Sequence, residues 1–224
     1  MKQTILLDTA TTPDGRPMTL LSHDRDRMIR VAGIELMSTR QHHSEECLGE
    51  LACRHLIGHR GSRVLVGGLG MGFTLRAVLG TLPSDAEVVV AEIMPAVIKW
   101  NRDPALGLGA DCLVDPRVGL VEGDVGEILR TSPGAFDSVI LDVDNGASAL
   151  SVRGNDRLYR ANGVGMTRKA LRRGGCVAYW SASDESDFAD LLRDSGFTVD
   201  IERVRPHAGL RGGGWHTLLL ARVT

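Results

Sequence analysis

The sequence predicts an α/β fold, a mostly parallel sheet covered by helices on both faces, with its last strands antiparallel. Three observations predict it. From Arg63 onward, apolar runs of strand length alternate with segments of helical period. A Gly-rich turn, Val66-Gly67-Gly68-Leu69-Gly70-Met71-Gly72, stands between the first such strand and the helix after it. The 224 residues, 43% hydrophobic and 24% charged, suffice for one such domain plus a small appendage, and are too few for two large domains.

The appendage comes first, over residues 1–43. Thr4–Leu7 and Met18–Leu21 read as extended apolar stretches, with Pro13-Asp14-Gly15 as the turn between them. Arg27–Val31 could add a third strand before Gly33. A β-hairpin of this size cannot fold alone and must pack on the rest of the chain. The nucleotide-binding unit is expected over residues 44–224. Leu48, Leu51, Ala52, His55 and Leu56 recur at helical spacing after Ser44, and Gly58 to Gly61 closes that helix. The expected strands are then Arg63–Val66, Glu87–Ala91, Arg117–Val121, Phe136–Leu141 and Cys176–Trp180. The expected helices are Phe73–Leu79, Pro95–Arg102, Val125–Leu129, Gly163–Leu171 and Asp187–Ser195. Arg172-Arg173-Gly174-Gly175 supplies the cations and glycines expected at a helix C-terminus. Thr198–Arg203 and His216–Arg222 form the terminal antiparallel pair.

Bulk properties exclude several classes. A net charge of −2 gives no support to nucleic-acid or membrane attraction. The start, MKQTILLDTA, is too short and too soon charged for a signal peptide, and no apolar run reaches the ~18–20 residues of a membrane span, so a cytoplasmic protein is expected. Cys47, Cys53, Cys112 and Cys176 are scattered without a C-x-x-C pair and read as buried small hydrophobes. Trp100, Trp180 and Trp215 read as core or interface residues, with pocket lining as the other option.

The chemistry-bearing residues follow the strand ends. Gly67, Gly68, Gly70 and Gly72 let the chain turn sharply and let a ligand approach the backbone. Glu92 ends the next strand, about 20 residues on, where a carboxylate can accept both hydroxyl hydrogens of a ribose. Gly123-Asp124 follows the third strand. Asp124 can accept an adenine amine, can cap the next helix, or can do both. Asp142 and Asp144 follow the buried strand Phe136–Leu141, at the carboxyl edge where open α/β sheets place ligands. Two carboxylates there can bind a cationic amine or remove its proton. Gln41-His42-His43-Ser44-Glu45-Glu46 suggests a metal at first sight, but the segment itself holds no H-x-x-x-H or H-E-x-x-H spacing, and a polar helix start is expected instead.

Taken in order, these segments resemble the spermidine synthase (polyamine aminopropyltransferase) superfamily, from about Arg27 to Thr224. Val66-Gly67-Gly68 looks like its first nucleotide motif, Ala91-Glu92-Ile93-Met94 like its ribose segment, Gly123-Asp124 like its adenine-side motif, and Phe136 to Asp142 like the strand carrying its catalytic aspartate. Leu158-Tyr159 and the following helix are similar to its later region, and Glu46 falls at the acid of its first helix. The resemblance implies a Rossmann-like methyltransferase-type sandwich with a seven-stranded sheet, and a homodimer. It implies Gly67, Gly68, Gly70, Gly72, Glu92, Ile93, Gly123, Asp124 and Asp142 as nucleoside-binding residues. Asp142, Asp144, Tyr159 and Glu46 would be acceptor-side residues.

Three departures matter. The family's first motif reads G-G-G-D-G-G, whereas here Leu69 and Gly70 stand at the third and fourth positions. Leu36 stands where the family has a glutamine, and D-x-x-D-P becomes Asp142-Val143-Asp144-Asn145. The missing aspartate would have met the amine of decarboxylated S-adenosylmethionine and repelled the carboxylate of S-adenosylmethionine itself. The expected protein is therefore a transferase using S-adenosylmethionine without a metal, moving a methyl group to a small-molecule amine. Other arms of the same nucleoside remain open. Alternatives are aminopropyl transfer from decarboxylated S-adenosylmethionine, a non-catalytic nucleoside-binding protein, and a nicotinamide-dependent oxidoreductase. Residues 145–162 are expected to close over the site as a lid.

Overall fold

The computed structural model describes residues 3–143, 155–207 and 214–224. It contains a seven-stranded sheet and a separate four-stranded antiparallel sheet.

The N-terminal region builds the small sheet from β1 (Thr4–Thr11), β2 (Pro17–His23), β3 (Asp26–Val31) and β4 (Ile34–Ser38), in that spatial order. The sequence predicts only a hairpin with an optional third strand. β4 escapes that reading because five residues containing a glutamate carry too little periodicity. Its turn has a recognisable geometry: Ala32 and Gly33 both take positive φ (50° and 83°), the conformation of the tightest hairpin turns. Met18, Leu20, Ile29 and Val31 alternate along β2 and β3 and seal this sheet onto the main core.

Next come α1 (His43–Cys53), β5 (Arg63–Gly67), α2 (Phe73–Thr81), β6 (Glu87–Glu92), α3 (Pro95–Arg102), the short α4 (Ala110–Leu113), β7 (Val118–Glu122) and α5 (Val125–Thr131). They are followed by β8 (Phe136–Leu141), α6 (Ala161–Ala170), β9 (Leu171–Ser181), α7 (Ser186–Asp194), β10 (Phe197–Val204) and β11 (His216–Val223). The large sheet runs β10-β11-β9-β8-β5-β6-β7. β5 through β9 pair in parallel, and β11 pairs antiparallel with both β9 and β10. β9 is longer than the expected Cys176–Trp180. Its first residue pairs with Phe136 before a register shift, so the Arg-Arg-Gly-Gly stretch lies within the strand rather than closing α6.

Strand side chains alternate between two cores. Val64, Val66, Val88, Val90, Ile140 and Ala178 face α1, α2, α3 and the small sheet. Leu65, Val139, Leu141, Val177 and Tyr179 face α5, α6 and α7. Burial on both faces explains why these strands read as continuous apolar runs. The chain leaves β5 toward β6 and β7, then returns to β8 on the other side of β5. The carboxyl ends of β5 and β8 thus mark the topological switch point, where the fold leaves a crevice.

Candidate active site

Backbone hydrogen bonds tie the strand ends together at this crevice. Gly68 N donates to Ala91 O (2.8 Å), Asp142 N to Gly67 O (3.0 Å) and Gly123 N to Glu92 O (2.8 Å). The Gly-rich turn is braced from outside by Asn101, whose Nδ2 donates to Gly70 O (2.8 Å) and whose Oδ1 accepts from Gly109 N (2.8 Å).

Gly68 is the position where only glycine fits. Its φ is +92°, and a Cβ would stand 2.2 Å from the Asp142 carbonyl oxygen. The missing side chain is what lets the β8 end close against the β5 end. Gly72, at φ +84°, starts α2 against Gly109 and lies outside the cavity lining, as does Gly67, which is packed against Val125 and Leu141.

A cavity of about 350 Å³ opens along this edge, a size suited to a small-molecule ligand. Gly68, Gly70, Glu92, Ile93, Gly123 and Asp124 line one part of it, and Asp142, Glu45, Trp180 and His216 the other. Glu35, Leu36 and Met37 of β4 close it from the small sheet.

Glu92 is 4% exposed. Its Oε2 accepts from Leu69 N (2.9 Å) and its Oε1 from Met94 N (2.8 Å), which locks the carboxylate under the Gly-rich turn. Burial raises its pKa, and the backbone amides around it oppose the rise. The amides of Gly70 and Ile93 also face this carboxylate, which lines the cavity. Asp124 serves as a cap: its Oδ1 accepts from Gly126 N (2.8 Å) at the start of α5, and its Oδ2 pairs with Arg157. It lines the cavity as well, so the capping role and the ligand-facing role coexist.

Asp142 extends from the end of β8 with its carboxyl group turned inward. Thr74 of α2 donates to its Oδ2 at 2.7 Å. Burial pushes its pKa up to about 6, with the Thr74 hydrogen bond acting against the rise. Glu45, in the first turn of α1, lies in the same cavity. Burial holds its pKa well above the ordinary carboxylate range, and the neighbouring charges of Asp142 and Glu46 add to the effect.

Two expected acceptor-side residues lie elsewhere. Glu46 projects from α1 toward His42 and His43 (3.0 and 3.8 Å) and borders a different depression with Arg54 and Arg76. One residue along a helix is a rotation of about 100°, so Glu45 and not Glu46 reaches the cavity. Tyr159 is 6% exposed and packs against Tyr179 and Phe188 in the core beneath α6 (ring centroids 5.7 and 5.3 Å). An aromatic ring has more to gain there from apolar packing than from a polar cavity. Asp144 and residues 145–154 of the expected lid lie outside the described residues. The lid's remaining residues form a short 3-10 turn, Asn155–Tyr159, and the start of α6.

The His-His-Ser-Glu-Glu segment takes a structural arrangement. His42 stacks on Phe73 (4.2 Å) beside Glu46, and Ser44 bonds within the cavity wall. Trp100 is a core residue whose Nε1 donates to Asp8 (2.8 Å), Trp215 is exposed under the Arg205 guanidinium (4.3 Å), and Trp180 lines the cavity. Cys53, Cys112 and Cys176 are buried and Cys47 is half-buried. Sequence reasoning alone does not single out Glu45, Thr74, Trp180 or His216 as site residues. Position at a strand end or in a first helical turn is the signal available for all four.

No family model and no curated protein matches the chain. Solved structures do. A spermidine synthase in complex with the transition-state analogue AdoDATO superposes with a TM-score of 0.75 at 17% identity, over 98% of this chain and 72% of the other. A probable spermidine synthase from Corynebacterium glutamicum gives 0.67 at 14% identity over 99% and 81%. A precorrin-6y C5,15-methyltransferase from Geobacter metallireducens gives 0.57 at 15% identity over 79% and 87%. With its seven-stranded sheet, its four-stranded N-terminal sheet and a crevice at the β5–β8 switch point, the chain has the spermidine synthase-like fold, a Rossmann-like architecture of the methyltransferase type.

Proposed function

We propose that this protein is a transferase that binds S-adenosylmethionine and moves its methyl group to the nitrogen of a small, cationic amine. One observation carries the reading. A single cavity holds Glu92 at one end, set for a ribose, and a partly desolvated carboxyl group, Asp142, at the switch point.

The residues present fit such a nucleoside. Glu92 presents an acceptor carboxyl group to the ribose hydroxyls, Gly123 and Asp124 border the same cavity, and Gly70 leaves the turn open. The nucleoside supplies a sulfonium, a good leaving group. Asp142 takes the proton of the acceptor's ammonium, and that nitrogen's lone pair then forms a bond to carbon as the carbon–sulfur bond breaks, leaving a neutral thioether. Positioning the amine against the donor carbon is the other contribution expected of the cavity.

A second reading has its own support. Among the described lining residues there are five carboxylates, Glu35, Glu45, Glu92, Asp124 and Asp142, and no lysine or arginine to meet a ligand carboxylate. That charge balance favours decarboxylated S-adenosylmethionine and aminopropyl transfer. Gly70, which places no carboxylate at the turn, favours S-adenosylmethionine. Mass spectrometry of reactions with each nucleoside and a set of amines separates the two. A methylated amine supports the first reading, an aminopropylated amine the second, and no product with either overturns both.

A further inference from the structure

The cavity continues past Asp142 over the ends of β9 and β11, where Trp180, Ala182 and His216 line it. Nothing in the transfer chemistry uses this end. Thr217 pairs with Ser181 and Leu218 with Trp180, so His216 sits on the strand beyond β9. That places it two strands from Asp142, about 10 Å at ordinary sheet spacing.

Behind the cavity wall is Ser44, 1% exposed. Trp180 Nε1 donates to Ser44 Oγ at 3.1 Å, and Ser44 Oγ lies 2.8 Å from His216 Nδ1. An indole nitrogen can only donate, so the serine oxygen accepts from it. The hydroxyl has one proton to give, and among the described residues His216 Nδ1 is the acceptor in reach. Nδ1 therefore carries a lone pair, and the ring proton of the neutral imidazole sits on Nε2. No hydrogen bond from Nε2 to another described residue is formed, and Nε2 is not a sealed, orphaned atom. The ring is held edge-on against Trp180 (4.6 Å). Burial, with the nearby His207, keeps the imidazole below its ordinary pKa and hence neutral at pH 7, although Glu35, Glu45 and Asp142 line the same cavity.

We propose that His216 determines acceptor specificity. Its Nε2–H, fixed by the chain from Trp180 through Ser44, donates to an uncharged oxygen of the acceptor, an amine bearing a hydroxyl or carbonyl group remote from the reacting nitrogen. A second ammonium at this end would meet an N–H instead of a lone pair. A carboxylate would share the cavity with Glu35, Glu45 and Asp142. The inference rests on the amine-transfer reading and adds to it the far end of the substrate.

The test has two arms on the full-length protein. Nitrogen-15 NMR of the imidazoles should show His216 protonated on Nε2, and Ser44→Ala should release it to a mixture of tautomers. A proton on Nδ1 in the wild type would overturn the chain of hydrogen bonds. In the second arm, calorimetry with saturating S-adenosylhomocysteine compares 4-aminobutan-1-ol, butane-1,4-diamine and 4-aminobutanoate. The amino alcohol should bind about tenfold more tightly than the other two, the worth of one well-placed hydrogen bond. His216→Phe should erase that preference, and His216→Gln, which keeps an N–H donor, should restore part of it. Equal affinities, or a preference that survives His216→Phe, would sink the role of His216 while leaving the transferase reading intact. Binding of the nucleoside with none of the amines would overturn both.

Discussion

Replacing Gly68 with alanine puts a methyl group where the β8 end crosses the Gly-rich turn. The new Cβ would lie 2.2 Å from the Asp142 carbonyl oxygen and 3.0 Å from its carbon, both main-chain atoms that cannot rotate away. Gly15→Ala is the internal control, because Gly15 has a similar φ (+86° against +92°) and nothing within 4 Å. Left-handed strain alone costs about 1–2 kcal/mol, common to both variants. Forcing a methyl into a packed site adds about 1–3 kcal/mol, so Gly68→Ala should cost about 2–5 kcal/mol in all. At about 2–4 °C per kcal/mol for a chain of this size, Gly15→Ala should lower Tm by about 2–8 °C and Gly68→Ala by about 4–20 °C. Paired scanning-calorimetry runs on the two variants read the difference. If Gly68→Ala melts no lower than Gly15→Ala, the close approach of β5 and β8 is not what holds Asp142 in place.

Asp142→Asn should lower the rate of transfer at least about a hundredfold, the contribution of a positioned base, while nucleoside affinity changes little; kinetics and calorimetry on one preparation separate the two effects. The same substitution bears on stability. Because the folded pKa of Asp142 is about 6, above the ordinary 3.8, burial of its neutral form costs nothing extra at low pH, and stability is lost as pH rises through about 6. Asp142→Asn should therefore be more stable than wild type at pH 7 by about 3 kcal/mol, an advantage that vanishes below about pH 4 in denaturant titrations. Wild-type kcat/KM should rise through about pH 6 as the base form appears. Glu45→Gln should leave that limb in place, since burial and the Thr74 hydrogen bond, not Glu45, set the pKa of Asp142; a limb moved to lower pH would show that the Glu45 carboxylate acts on it. Gly70→Asp should shift the ratio of affinities toward decarboxylated S-adenosylmethionine about tenfold or more, read by calorimetry with both nucleosides.

Much of the fold is legible in the residues. The order of strands and helices from Arg63 onward follows from strand-length apolar runs and helical periods. The Gly-rich turn, Glu92 and Gly123-Asp124 each follow a strand, and the parallel sheet brings strand ends to one edge. The losses have physical causes. Glu45 and Glu46 differ by one helical step, and sequence alone does not fix the phase of a polar first turn against a cavity. Tyr159 carries the same hydroxyl in a core as in a site, and only packing on Tyr179 and Phe188 decides between them. β4 is short, and it supplies Leu36 and Met37 to the cavity from a region that reads as a hairpin. His216 belongs to a strand that the sequence places correctly, but its partner Ser44 is 172 residues away, a contact that no local pattern announces.

Every role proposed for this cavity depends on Glu92 anchoring an adenosylmethionine-type nucleoside. Titration calorimetry of S-adenosylmethionine into the wild type and into Glu92→Gln decides the point, with circular dichroism confirming that both are folded. Saturable binding to the wild type is expected, with an affinity at least about tenfold weaker in the variant, because an acceptor oxygen for a ribose hydroxyl is replaced by an amide nitrogen that can only donate. Equal affinity in the two proteins, or no binding of either S-adenosylmethionine or its decarboxylated form to the wild type, would contradict that anchoring role.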